Sequence, residues 1–120
     1  MLISELSKLT GLTTHTIRFY EKTGLIKGKQ KEEVTTNNYF HYDEEVVERL
    51  KLIRDAKSIG FTLREIGHLL DAWFDNQFSI EKKLRILDDK VVSIDQKIAQ
   101  LENMKKLVID YKKSVQDESC

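Results

Sequence analysis

A chain of 120 residues has room for one ordinary domain, or for a small domain and one long helix. Proline is absent, glycine occurs 5 times and 33% of residues are charged, which favours a helix-rich fold over a β-sandwich or a disordered segment. The formal net charge is zero and the opening MLISELSKL is too charged for a signal peptide. No run nears the ~18 apolar residues of a membrane span, so a cytoplasmic protein with no membrane partner is expected, and the single cysteine, Cys120, fits that compartment.

Ile3 to Thr10 is predicted as the first helix, with Ser4 as its N-cap and Ile3, Leu6 and Leu9 on one face. Gly11 stands where a tight turn needs positive φ. Thr13 or Thr14 then caps a second helix running to Lys22, and Gly24 ends it as a C′ glycine. Ile17 and Phe19 are expected in the core, whereas His15, Arg18 and Lys22, three and four residues apart, share another face. A tight turn followed by a short helix with an apolar back and an Arg-bearing front suits the groove-entering half of a helix-turn-helix.

The charge distribution agrees with that reading. From Lys8 to Lys31 six basic residues (Lys8, Arg18, Lys22, Lys27, Lys29, Lys31) face one acid, Glu21, and then Asp43, Glu44, Glu45 and Glu48 reverse the sign. A basic face beside an acidic one binds a duplex in one orientation even at zero net charge. Non-specific affinity is expected to be weak and salt-sensitive.

Leu25 to Tyr42 breaks the helical period. Lys27-Gly28 and Asn37-Asn38 are turn signals around Val34-Thr35-Thr36 and the aromatic run Tyr39-Phe40-His41-Tyr42, which predicts a small β-hairpin wing. Asp43 caps a third helix with Val46, Val47, Leu50, Ile53 and Ala56 on its apolar side, and Gly60 stops it. Thr62-Leu63-Arg64-Glu65 is a capping box opening a fourth helix through Ile66, Leu69 and Leu70. Asp75-Asn76-Gln77 reads as a connector and Ser79 as the cap of the last helix.

In that last helix, apolar residues recur in alternating steps of four and three at Ile80, Leu84, Leu87, Val91, Ile94, Ile98 and Leu101. After one three-residue step the stripe continues at Met104, Val108, Tyr111 and Val115, as a stammer would allow. Sustained over this many heptads the pattern means coiled coil. At ~1.5 Å per residue the segment from Ile80 to Val115 spans roughly 54 Å, too long for so small a domain to cover. A dimer is therefore expected. The layout is mainly α: a winged helix-turn-helix head over residues 1–74, a hinge over 75–78, a coiled-coil dimerisation helix over 79–115 and a tail over 116–120.

The segments ISELSKLTGLTTHTIRFYEKTGLI and NNYFHYDEEVVERLKLIRDAKSIGFTLREIGHLL, with the IGFTLREI signature, resemble the opening, wing and helix-pair patterns of the MerR family of bacterial transcription regulators. The resemblance implies a homodimer in which an antiparallel coiled coil holds two winged heads on a palindromic promoter operator. Recognition helices about 34–36 Å apart would meet successive major grooves. It further implies that the dimer bends double-stranded promoter DNA with an overlong spacer, and that an effector makes it untwist the centre so that RNA polymerase engages both promoter elements. Carried over position by position, Arg18 and Tyr20 hold the DNA backbone, with packing against the wing as the alternative for Tyr20. His15 is the candidate for base readout, Thr14 for a phosphate at the helix start, and Lys22 shares their helix. Tyr39 in the wing and Lys57 after it would clamp flanking minor-groove phosphates. Phe40 departs from the pattern, because the family commonly has Arg there; Lys29, Lys31 or His41 would compensate. His41 and His68 are expected as ordinary surface or part-buried residues.

Metal- and redox-sensing relatives place cysteines near the start of the dimerisation helix and in a loop after it. Here Ser79 stands at that start, and Cys120 by itself makes neither a tetrahedral zinc nor a two-coordinate copper site. No metal or cofactor is assigned. A small-molecule effector pocket is expected at Trp73, Phe74 and Phe78 with the partner's Tyr111 over them, hinge packing being the alternative for these aromatics. An effector-independent architectural or coiled-coil interaction protein is the second reading of the whole chain. An enzyme is not expected, because the three histidines are scattered and no nucleophile–base pair, phosphate-cradling glycine loop or metal-spaced cluster is found.

Overall fold

The computed structural model describes residues 1–30 and 40–118. In chain order they form α1 (Ile3–Thr10), α2 (Thr14–Lys22), β1 (Lys29–Gln30), β2 (Phe40–His41), α3 (Glu44–Ser58), α4 (Leu63–Leu70), a π-helical turn (Asp71–Asp75) and α5 (Ile80–Glu118). The chain divides into two units, Met1–Phe78 and Ser79–Cys120.

Helix α1 packs on α2 and α3. Leu6 and Thr10, one turn apart, are its buried residues. Thr10 tolerates burial because its hydroxyl donates back to the Leu6 carbonyl at 2.7 Å. The expected face Ile3-Leu6-Leu9 is corrected accordingly: Leu9 is 55% exposed, because the two partners of α1 select the arc through Leu6 and Thr10. Ser4 is likewise not the cap. Leu2 occupies that position with extended backbone, and no side chain bonds the helix start.

Thr13 caps α2, its hydroxyl accepting from the Thr16 amide at 3.1 Å. Helices α2 and α3 end in the same way. Gly24 and Gly60 adopt φ of 85° and 90°. The next residues, Leu25 and Phe61, donate back to Tyr20 and Ala56 at 3.0 Å each. The glycine amides bond Glu21 and Lys57 at 3.1 and 3.2 Å. These are Schellman closures, which need a left-handed residue at C′ and so select glycine there.

Asp43 caps α3 through the Val46 amide at 3.1 Å, and Val46, Val47, Leu50, Ile53 and Ala56 are buried as the periodicity predicts. The capping box of α4 is closed in both directions, Thr62 Oγ1 accepting from Glu65 at 3.2 Å and Glu65 Oε1 accepting from the Thr62 amide at 2.9 Å. Leu6, Ile17, Ile26, Leu50, Ile53 and Ile66, each at most 1% exposed, form the centre of the core.

Between α2 and α3 lies a two-rung antiparallel ladder, Lys29 opposite His41 and Gln30 opposite Phe40. Residues 31–39, including Tyr39 and most of the expected wing, lie outside the described residues. After α4 the chain does not break at once. It continues through the π turn, where the Asn76 amide reaches five residues back to the Asp71 carbonyl at 2.7 Å and Ala72 is fully buried. The predicted connector thus begins in helical backbone at Asp75 and turns at Gln77, a non-glycine residue with φ of 44°.

Helix α5 is capped by Ser79, whose hydroxyl accepts from the Lys82 amide at 3.2 Å. Its 39 residues extend roughly 58 Å. It runs past the expected end at Val115 to Glu118, so residues 116–118 of the expected tail are helical, while 119–120 lie outside the described residues. Every apolar residue of the stripe from Ile80 to Val115 is at least 37% exposed in the chain.

Candidate nucleic-acid interface

Helix α2 rotates about 100° per residue. Ile17 and Tyr20, 0% and 6% exposed, lie about 60° apart and fix its inner side. The opposite arc carries Arg18, Lys22, His15 and Phe19, all exposed. Thr14, at the first turn, is half-buried at the helix start. Two expectations change. Phe19, expected in the core from its apolarity, is 46% exposed because its position falls on the polar arc. Tyr20, expected at the DNA backbone or packed against the wing, is 6% exposed with its ring in the core, and burial pushes its phenol above the usual tyrosine range.

Two long-range contacts hold this helix and the turn after it, and the sequence reading identifies neither. The Tyr42 phenol donates to Glu21 Oε2 at 2.7 Å, tying the residue after β2 to the last turn of α2. Burial, then the hydrogen bond to the Glu21 carboxylate and its charge, raise the Tyr42 phenol far above its ordinary value, against an opposing pull from Arg18. The Tyr42 amide also donates to the Met1 carbonyl at 2.8 Å.

The second contact is made by Arg49 of α3. Its Nε and Nη2 donate to the Leu25 carbonyl at 3.3 and 3.1 Å, just beyond α2. Its Nη1 and Nη2 donate to the two carboxylate oxygens of Asp75 at 2.8 and 3.3 Å. The guanidinium lies over the Phe74 ring, 5.4 Å from its centre. Arg54, one turn and a residue further along α3, donates to the Thr10 carbonyl at the end of α1 at 2.9 Å. Each arginine thus satisfies a carbonyl where a helix of the turn motif ends.

Lys57 is exposed near the end of α3. His41 is half-buried and His68 exposed, as expected. Phe78 packs edge-on against His68, ring centres 5.6 Å apart. Phe74 is engaged by Arg49, Trp73 is half-buried, and Tyr111 is 69% exposed. An open cleft of about 530 Å³ is lined by Gly24, Leu25, Lys27, Asp43, Arg49 and Asp75 among others, and by none of the four expected pocket aromatics. Among the described residues no cluster of three or more His, Cys, Asp or Glu is placed to hold a metal ion, and no helix is long and apolar enough to cross a membrane.

A helix-turn-helix with a basic outer arc, followed by a ladder, a helix pair and a long apolar-striped helix, invites comparison with known regulators. Residues 1–73 match the model of the MerR HTH family regulatory proteins, and residues 47–109 match the model described as MerR, DNA binding. The chain belongs to the MerR family. This MerR-family protein is 40% identical over 106 residues to the HTH-type transcriptional regulator CueR of Escherichia coli O6:H1, covering 88% of the chain and 76% of the relative. It is 39% identical over 105 residues to a probable heavy metal-dependent transcriptional regulator of Haemophilus influenzae, covering 87% and 79%. Among solved structures it is similar to the transcription regulator PbrR691 from Ralstonia metallidurans, crystallised with lead(II), with a TM-score of 0.73 at 27% identity over 92% of this chain and 84% of that one. The MerR-family chain is a DNA-binding transcriptional regulator, and its relatives are regulators, not enzymes.

Proposed function

We propose that the chain acts as a homodimer, its two α5 helices paired as an antiparallel coiled coil, and that it binds a palindromic promoter operator and bends it. The observation that carries this reading is the pairing of one exposed basic arc on α2 with one exposed apolar stripe of eleven residues, Ile80 to Val115, on α5. A stripe of that length is stable in water only against another helix. A second copy supplies one and doubles the DNA-binding heads.

In this reading Arg18 and Lys22 hold phosphates, His15 reads a base edge, and Thr14 meets a phosphate at the start of α2. Lys57 and a wing that includes Tyr39 grip the flanking backbone. Residues 75–78 are the hinge between the head and the rod. Deformation of the duplex, offset by these phosphate contacts, brings the promoter elements into register for RNA polymerase. Relatives include a probable heavy metal-dependent regulator and a structure with lead(II), but this sequence has one cysteine and Ser79 at the head of α5, so no set of two thiolates is available within it.

Selection of bound duplexes from a random pool tests the reading. Enrichment of a palindrome whose half-sites lie about one duplex turn apart is expected. Enrichment of a single half-site, or of none, would overturn it.

A further inference from the structure

We infer that Phe19 is a specificity-determining residue that packs against the C5-methyl group of a thymine in each operator half-site. The inference deepens the proposed DNA reading and rests on α2 entering the major groove.

An exposed phenylalanine carries no message by itself, since apolar atoms make up much of any protein surface. Its surroundings on α2 do. Phe19 lies one turn after His15 and three residues before Lys22, beside Arg18, so it shares the arc of the three polar candidates. It is 46% exposed, while Ile17 and Tyr20, the apolar residues that seat the helix, are buried. The fold therefore does not use Phe19 as an anchor. Its ring is nevertheless steadied from one side, the Tyr20 ring lying 5.8 Å away at 54°. A half-exposed ring flanked by a buried one loses less freedom on contact than a free-standing side chain.

A phenyl ring can neither donate nor accept a conventional hydrogen bond, so it reads nothing polar on a base edge. In the major groove the apolar feature that distinguishes one base pair from the others is the thymine methyl. Arg18 and Lys22 supply the charge that brings this arc to a polyanion, and Phe19 supplies an apolar surface once it is there.

The test uses the full chain and the duplex selected by it. Each thymine in the half-site is replaced in turn by deoxyuridine, which removes the methyl and leaves base pairing and hydrogen bonding unchanged. Affinity is expected to fall roughly fourfold for one methyl, and roughly fifteenfold when both half-sites are changed, at one thymine position only. The variant F19A, with an unchanged melting temperature, is expected to lose that sensitivity, and F19L to retain part of it. Equal uracil sensitivity in wild type and F19A, or none at any position, overturns the inference while leaving operator binding intact. Failure of the wild-type chain to select any sequence overturns the underlying reading of α2, and this inference with it.

Discussion

Arg49 Nη1 lies 2.8 Å from Asp75 Oδ1 while the same guanidinium holds the Leu25 carbonyl. One side chain thus joins Leu25, three residues beyond α2, to the end of the π turn. Only 14% of the Arg49 side chain is exposed, against 54% for Asp75. The two partners therefore differ in what their loss costs. Arg49→Met strands the Leu25 carbonyl and removes the cation over Phe74, and is expected to cost about 1–3 kcal/mol of stability by urea denaturation. Asp75→Asn keeps one acceptor at a largely solvated site and is expected to cost under about 1 kcal/mol. Equal losses would mean that the Leu25 contact contributes little.

Tyr42 makes stability depend on alkaline pH. Its phenol is held protonated in the folded chain beyond the pH at which an unfolded tyrosine, with a pKa of about 10, ionises. Above that pH the unfolded state binds fewer protons than the folded one, so stability is constant in this respect below about pH 10 and falls above it. Tyr42→Phe is expected to lower stability by about 1 kcal/mol at neutral pH and to flatten the decline above pH 10, measured by urea denaturation between pH 8 and 11. A residual slope from Tyr20, whose phenol is raised by burial in the same direction, is expected to persist. Parallel pH curves for wild type and variant would contradict the assignment.

Arg18 and His15 share one arc of α2 but are expected to act differently. Arg18→Ala should weaken binding across all operator sequences and reduce the salt slope by about 1. His15→Ala should change the preferred base at one or two positions in each half-site while leaving the salt slope nearly unchanged. A selection profile that His15→Ala leaves untouched would remove it from base readout.

The rod is expected to fail at its centre. Ile94 and Ile98 are 37% and 49% exposed in the single chain. A lysine at either position would place a charge in the coiled-coil seam. Ile94→Lys or Ile98→Lys should shift the mass in light scattering from dimer to monomer and weaken operator binding in parallel. A dimeric variant with full affinity would contradict the proposed pairing.

Most helices and several of their ends were legible in the sequence because they rest on interactions within a turn or two. Thr13, Asp43 and Thr62 cap the amide three residues ahead, and Gly24 and Gly60 close the helix they follow. The apolar faces of α3 and α4 were equally plain, since nearly every apolar residue there falls on one side. On α1 and α2 periodicity offered more than one arc, and packing against two neighbours chose between them. That choice put Leu9 and Phe19 outside and Tyr20 inside.

The contacts that orient α2 could not be read locally. Tyr42 reaches Glu21 across 21 residues, and Arg49 reaches Leu25 and Asp75 across 24 and 26. A hydrogen bond across such a separation depends on where the folded backbone brings the two groups, and no pattern along the chain carries that position. Local patterns along the chain were enough for a helix-turn-helix, a helix pair and a long helix with a continuous apolar stripe. Which side of α2 stays exposed came from the folded packing alone, because burial is a property of what the rest of the chain packs against the helix.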